Sequence, residues 1–296
     1  MSVAAYAGVA RAPFLLLPIT LAIAGTGAAA YLDMHDWAAA ALALLGLLGM
    51  HVAVNALNEA SDYRTGIDFK TRRTPFSGGS GTLPAGRLGY GKAVATGLVG
   101  GAIGIVVGVY FLTIVGWKLV PVLAIGALAI FGYSEFLARA YVGELFAGLG
   151  LGALPVIGTT LVQTGDYEVV AIAASIPAFF MTFNLLLLNE FPDEEADREG
   201  GRRNLVLLLG RRKAALLYSL FAILVPVALV VGALLDILPK LSLVAILPSL
   251  ILLPKPLGWA FKRSQDPVPI PALGSNVIWN LATNTVLGLT LFFCWC

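Results

Sequence analysis

Nine stretches of about 20 mostly apolar residues follow one another along the chain, each long enough to cross a hydrocarbon core of about 30 Å as a helix. They run from Pro13 to Leu32, Trp37 to Leu57, Gly91 to Val115, Leu119 to Ala138, Gly143 to Val162, Val169 to Leu188, Ala214 to Leu235, Leu241 to Phe261 and Asn276 to Trp295. A water-soluble fold would leave these runs exposed, and a chain that is 58% hydrophobic but only 12% charged lacks the polar surface to cover them. The expectation is an all-α protein: a polytopic membrane helical bundle of about nine transmembrane helices around a central cavity, one domain over residues 1–296. The Pro254-Lys255-Pro256 interruption marks the eighth run as the least regular.

The few charges are unevenly placed. With nine spans, all but Lys118 and Lys240 of the 19 Lys and Arg fall in loops on the N-terminal side. The positive-inside rule then puts the N-terminus and these loops in the cytoplasm and the C-terminus outside. Arg11 leads directly into the first run with no small-residue cleavage site before Asp33, so that run is expected as a helix and not a cleaved signal. A net charge of +2 gives no footing for nucleic acid. Cys294 and Cys296 are too close for an easy disulfide and weak as a zinc pair, and are expected to be interfacial or lipid-facing.

Two of the loops, about 62–91 and 190–213, carry charge of both signs and are expected to cap the cavity. At the end of the second run His51, Asn55, Asn58, Glu59 and Asp62 recur at spacings of four, three, one and three, along one helical face, with Asp68 beyond Gly66. At the end of the sixth, Asn189, Asp193 and Asp197 recur every four residues, with Glu190 and Glu194 beside them. Pro192 predicts a break or kink there, and so a short new helix carrying the acids. Ionisable residues at membrane depth are costly and point to function. Two oxygen-rich faces opposed across a bundle suit Mg²⁺, which commonly combines one or two carboxylates with substrate phosphates, and so suit a diphosphate. Arg64, Lys70, Arg72, Arg73, Arg139, Arg198, Arg202 and Arg203 are at hand to balance the remaining charge. Glu195, Glu199, Arg211 and Arg212 read better as a solvated face. The Gly-rich segment from Phe76 to Pro84 offers backbone N–H donors to an anion but lacks the Lys of a P-loop.

The stretch N-A-L-N-E-A-S-D-Y-R-T-G-I-D, Asn55 to Asp68, resembles the first Asp-rich motif of the UbiA superfamily of intramembrane prenyltransferases in its menaquinone-branch form. The stretch from Asn189 to Asn204, followed by Leu205 and Gly210, resembles the second. Tyr133-Ser134, Arg139, the run G-E-L-F-A-G-L-G-L-G from Gly143, and Gln163-Thr164-Gly165 look like the family's connecting elements. The chain departs from the pattern at Glu59, where Asp is commoner, at the placing of Asp68, and at Arg202-Arg203-Asn204. The resemblance implies transfer of a polyprenyl group from a diphosphate to an aromatic quinone precursor, 1,4-dihydroxy-2-naphthoate before others. It implies Mg²⁺ held by Asn58, Glu59, Asp62, Asp193 and Asp197. Asp62, Asp193 and Asp197 then serve catalysis, with Asp68 as either ligand or proton acceptor. Asn55, Asn58, Lys70, Arg72, Arg73, Asn189 and Arg202 would bind substrate, and Tyr133 and Arg139 the diphosphate or acceptor end.

The implied partners are a polyprenyl diphosphate, the aromatic acceptor and the bilayer. An apolar tunnel would take the prenyl tail, with the small residues from Gly97 to Gly108 and Gly148 to Gly158 giving close packing or room. Asn276, Asn280 and Asn284 favour interhelical hydrogen bonds over pocket lining, and His51 stands between a satisfied core histidine and an acceptor contact. Within the family the acceptor alternatives are 4-hydroxybenzoate, a chlorophyllide, haem and geranylgeranylglyceryl phosphate. Outside it the rival is a cation-coupled transporter, since intramembrane acids also bind ions.

Overall fold

A computed structural model describes residues 2–294, and every regular element among them is helical. A short α1 (Val3–Val9) and a 3-10 turn lead into α2 (Leu16–Tyr31), and α3 (Trp37–Thr65) is followed by the single turn α4 (Ile67–Lys70). Next come α5 (Tyr90–Val115), α6 (Val120–Phe131) and α7 (Gly143–Gly148), which passes through π-helical turns at Leu149–Ala153 into α8 (Leu154–Thr164). The second half holds α9 (Val169–Glu199), α10 (Leu205–Leu209), α11 (Arg211–Leu234), α12 (Leu247–Leu252), α13 (Pro254–Lys262) and α14 (Ile270–Phe293). Trp295 and Cys296, counted above in the last run and the cysteine pair, lie outside the described residues; Cys294 is exposed.

By length and composition, seven helices among the described residues can cross a membrane, or eight if the helical stretch Lys240–Leu252, which ends in α12, and α13, bent by 52° from it, are one broken span. The expected nine does not emerge from that tally, which takes residues 90–131 as one stretch of 42 residues. The chain reverses within it. Gly116, at φ +72°, separates α5 from α6, and contacts pair Gly101 with Phe131 and Gly108 with Leu123, the order of an antiparallel hairpin.

The local signals that bound these helices are readable. Asp36 caps α3, its Oδ1 accepting from the amides of Ala38 at 2.8 Å and Ala39 at 3.1 Å, and Gly66 at φ +83° ends it. At 29 and 31 residues, α3 and α9 run to roughly 45 Å, well past the hydrocarbon thickness. Each has turns to spare beyond an apolar span, and the acids sit on the C-terminal turns.

Pro192 does not break α9, contrary to expectation: the helix is continuous from Val169 to Glu199 through both Pro177 and Pro192. Tertiary contacts hold the turn. Phe191 meets Trp259 edge to face at 4.9 Å, while Arg211 stacks over the Phe191 ring and donates to its carbonyl at 3.2 Å. The every-fourth-residue spacing of Asn189, Asp193 and Asp197 is thus kept on one face.

The bundle is closed by its first and last long helices. A Cβ on Gly27 of α2 would come within 2.2 Å of the Gly288 carbonyl oxygen on α14, so the two backbones lie in direct contact. Polar side chains lace the interior as well. Asn276 donates to the Asn184 carbonyl at 3.2 Å and accepts from the Tyr218 hydroxyl at 2.9 Å. Asn280 reaches Thr182 at 3.3 Å and Asn284 donates to Asn280 at 2.7 Å, so the asparagine stripe of α14 bridges helices.

Candidate active site

At the C-terminal ends of α3 and α9, their inner faces and the loops that follow them enclose one cavity. Successive side chains of α3 separated by about 3.6 residues share a direction, and His51, Asn55, Asn58 and Asp62 all reach the cavity wall. Glu59 lies about 100° round the helix from Asn58 and points behind the wall. It is buried there, accepting from the Ser80 amide at 2.8 Å and from the Ser80 hydroxyl, with Arg11 Nε at 3.6 Å. Asn55 donates to the Ala10 carbonyl at 2.9 Å and ties the N-terminal segment to the site.

From α9, Asn189, Glu190, Asp193 and Asp197 line the same cavity. Asp193 accepts from the Thr71 hydroxyl and, at 3.1 Å, from the Gly78 amide. Asp197 accepts from Asn204 at 2.9 Å and has Arg202 Nε at 3.7 Å. Arg202 crosses to the opposite helix, donating to Asn58 Oδ1 at 2.8 Å and Asp62 Oδ2 at 2.6 Å. Its loop is held in place by reciprocal backbone bonds, Tyr141 to Arg203 and Arg203 to Ala138, each at 2.9 Å.

The cavity wall has oxygen to spare. Asp68 Oδ2 and Asn189 Oδ1 are buried without a hydrogen-bond partner in the protein, at a cost that bound ligand atoms would relieve. Burial pushes the Asp68 carboxyl up to about 7, with Asp62 and Glu59 adding to the effect and Arg11 and Arg73 opposing it. Among the described residues no three His, Cys, Asp or Glu side chains already cluster as a metal cage. The donor set is all oxygen, spread over two facing walls, and partly unpartnered. That fits Mg²⁺, which completes its shell with phosphate oxygens and water and has little use for an all-protein cage.

Tyr133 and Arg202 also line the cavity, and Ser134 beside Tyr133 donates to Asn58 Oδ1 at 3.2 Å. Lys70, Arg72 and Arg139 do not reach the wall. Lys70 is exposed and pairs with Glu199 at 2.6 Å, Arg72 is exposed on the loop next to lining Thr71, and Arg139 is half-buried with Nε unpartnered. Arg73 braces the wall from outside, donating to the Asp68 carbonyl at 2.7 Å. Glu195 and Glu199 are exposed, in line with a solvated face. Arg211 departs from that expectation: it fastens Glu194 at 3.0 Å and the carbonyls of Ser264 at 3.0 Å and Asp266 at 2.8 Å.

Sequence reasoning passed over Arg11, Thr71 and Glu144. Arg11 and Thr71 line the cavity. Glu144 is fully buried, accepts from the Leu205 amide at 2.6 Å and stands beside Glu190. Glu144 was detectable, as the one ionisable residue in the run from Gly143 to Val162. A second cavity, almost wholly apolar, lies between α3, α5, α6 and α8, and shares His51 and Leu151 with the first.

Known proteins resemble this chain in sequence and in fold. The sequence pattern of the UbiA prenyltransferase family matches residues 15–292. The 1,4-dihydroxy-2-naphthoate octaprenyltransferase of Bacillus subtilis is 29% identical over 190 residues, 61% of this chain and 58% of that one, so the match spans less than two thirds of the relative. The protein of the same name from Mycobacterium tuberculosis is 29% identical over 201 residues, 67% of each chain. The structure of a UbiA homologue from Archaeoglobus fulgidus bound to GPP and Mg²⁺ superposes with a TM-score of 0.69, covering 98% of this chain and 99% of that one. At 16% identity that likeness is one of fold.

Proposed function

Because the chain belongs to the UbiA prenyltransferase family, we propose that it transfers a polyprenyl group from a polyprenyl diphosphate to 1,4-dihydroxy-2-naphthoate within the membrane, with Mg²⁺. The observation that carries this reading is the convergence of Asp62, Asp68, Asp193 and Asp197 with Asn58 and Asn189 on one cavity, some of their oxygens unpartnered. The names of the curated relatives supply the acceptor. The N-terminus and the two capping loops lie in the cytoplasm, and the chain forms a single domain.

In this reading Asn58, Asp62, Asp68, Asp193 and Asp197 face the diphosphate through Mg²⁺, and Glu59 fixes the loop at Ser80 behind them. When bound, Mg²⁺ would offset the charge that builds on the diphosphate as the allylic C–O bond breaks. Arg202 stands among Asn58, Asp62 and Asp197 with donors to offer a phosphate oxygen. Lys70 and Arg72, exposed beside the lining residues Asp68 and Thr71, attract the anion toward the mouth, and Arg73 and Arg139 add to that field. Asn55, Asn189 and Tyr133 orient the reactants along the wall. Val54, Leu151, Leu185 and Leu186 keep water from the allylic cation. The tail runs past Leu151 into the apolar second cavity, where Gly104, Gly108, Gly150 and Gly158 leave room.

Mass spectrometry of products tests the proposal, with the reconstituted protein offered geranylgeranyl diphosphate, Mg²⁺ and a panel of acceptors. A prenylated product from the naphthoate, lost with EDTA and regained with Mg²⁺, is expected. Asp62→Ala and Asp193→Ala should abolish it. Full activity in both variants, or ion flux without diphosphate release, would sink the reading.

A further inference from the structure

His51 sits two turns of α3 before Asn58, roughly 10 Å along the axis toward the membrane interior at about 1.5 Å per residue. Its ring lines both the polar cavity and the apolar one. One nitrogen is committed: Nδ1 lies 3.0 Å from the Leu47 carbonyl oxygen. A carbonyl only accepts, so Nδ1 carries the hydrogen. Nε2 is buried and has no hydrogen-bond partner in the protein, and the residue is 4% exposed. Among the described residues His51 makes no ion pair, so in the free protein a charged ring would stand without a counter-charge. The neutral ring therefore carries an unpartnered lone pair on a residue that lines both cavities.

A lone pair selects its partner. It repels phosphate oxygens, gains nothing from a prenyl tail, and is satisfied by an O–H donor. A diphosphate held at the level of Asn58 and Asp62 would leave its allylic end on the side of the cavity that His51 lines. Resting on the function proposed above, we propose that His51 is a further catalytic residue: Nε2 accepts the hydrogen bond of the aromatic acceptor's hydroxyl and takes its proton during transfer. The acceptor's ring carbon forms the new bond to the allylic carbon, whose bond to diphosphate oxygen has broken with the electron pair leaving on the diphosphate. The O–H pair becomes the C=O of a ring ketone, and the proton passes to Nε2 with the positive charge that the acceptor took from the allylic cation, so the imidazolium forms only while the departed diphosphate is there as its counter-charge. Asp68 is less well placed for this step, because it stands among the carboxylates that meet the diphosphate.

His51→Gln and His51→Phe test the proposal with geranylgeranyl diphosphate and a series of hydroxylated naphthoates of increasing hydroxyl acidity. For 1,4-dihydroxy-2-naphthoate, kcat should fall by about 10²–10⁴-fold, the usual worth of a general base. KM for the diphosphate, and its Mg²⁺-dependent thermal stabilisation of the protein, should hold within about twofold. With an acceptor already ionised at neutral pH, variants and native protein should agree within about threefold, since no proton remains to be taken. Undiminished transfer by His51→Phe, a deficit independent of hydroxyl acidity, or loss of diphosphate stabilisation in both variants would each overturn the proposal. A native protein that prenylates none of the acceptors would instead refute the function it rests on.

Discussion

Asp62 near the end of α3 is met by a guanidinium, whereas Asp193 near the end of α9 is met by a hydroxyl and a backbone amide. The two arrangements mirror each other in topology. The loop after α9 sends Arg202 across to α3, and the loop after α3 sends Thr71 and Gly78 across to α9. Each acidic helix end is thus steadied by the other's trailing loop. The chemistry is unequal, however. A cation cancels the charge of Asp62, while the dipoles at Asp193 solvate its charge and leave it in place. Asp193 therefore keeps its charge for an incoming dication, and Asp62 stands beside a cation that a phosphate can share.

Truncating each acid would break or sharpen this contrast. Asp62→Ala strips Arg202 of its closest partner at a nearly buried site and should cost about 3–5 kcal/mol of stability, measured by denaturation in detergent without metal. Asp193→Ala removes an acceptor only from Thr71 and Gly78, and about 1–3 kcal/mol is expected. Equal losses would mean that the two braces are equivalent.

A pH series probes the α3 side without truncation. The Asp68 carboxyl titrates near 7 in the folded protein against an ordinary 3.8, so the folded state holds the proton that the unfolded state releases first. The contribution of this group is fully present below about 3.8 and is lost as pH rises through about 7. In EDTA the apparent Tm should fall across that window, by an amount bounded by the roughly 4 kcal/mol that a displacement from 3.8 to about 7 represents. Asp68→Asn should flatten the fall. A slope unchanged in that variant would place its origin elsewhere.

The pair Lys70–Glu199 also joins the two loops, at 2.6 Å, but both side chains are about half exposed. Lys70→Ala should cost no more than about 1 kcal/mol, and less in high salt. A larger loss would show that the outer contact shares the bracing with Arg202.

Much of the architecture was legible because lipid enforces it. Apolar runs of fixed length, Asp36 as a cap and Gly66 as a stop are local signals, and both acidic faces followed from helical spacing. The two apolar runs on either side of Gly116-Trp117-Lys118 were legible as separate helices, and the structure turns the chain there through Gly116 at φ +72° and a 3-10 turn. Pro192 misled: proline's local penalty was outweighed by Phe191, Trp259 and Arg211, which are distant in sequence. The reciprocal braces could not be read, since Arg202 lies 140 residues from Asp62 and Thr71 lies 122 from Asp193. Nor does any pattern in the sequence reveal that His51 Nε2 lacks a partner.

The contact between Gly27 and Gly288 has a consequence for biogenesis. Nearly the whole chain separates these residues, so the seam that closes the bundle joins the first long helix made to the last. At about 5–20 residues per second of synthesis, α2 waits tens of seconds in the bilayer for its partner. Until α14 arrives, the glycine face of α2 is open to lipid and to other nascent helices. A bulky residue at position 27 would therefore be felt first as a failure of assembly, in membrane yield and protease resistance, before any purified enzyme could be assayed.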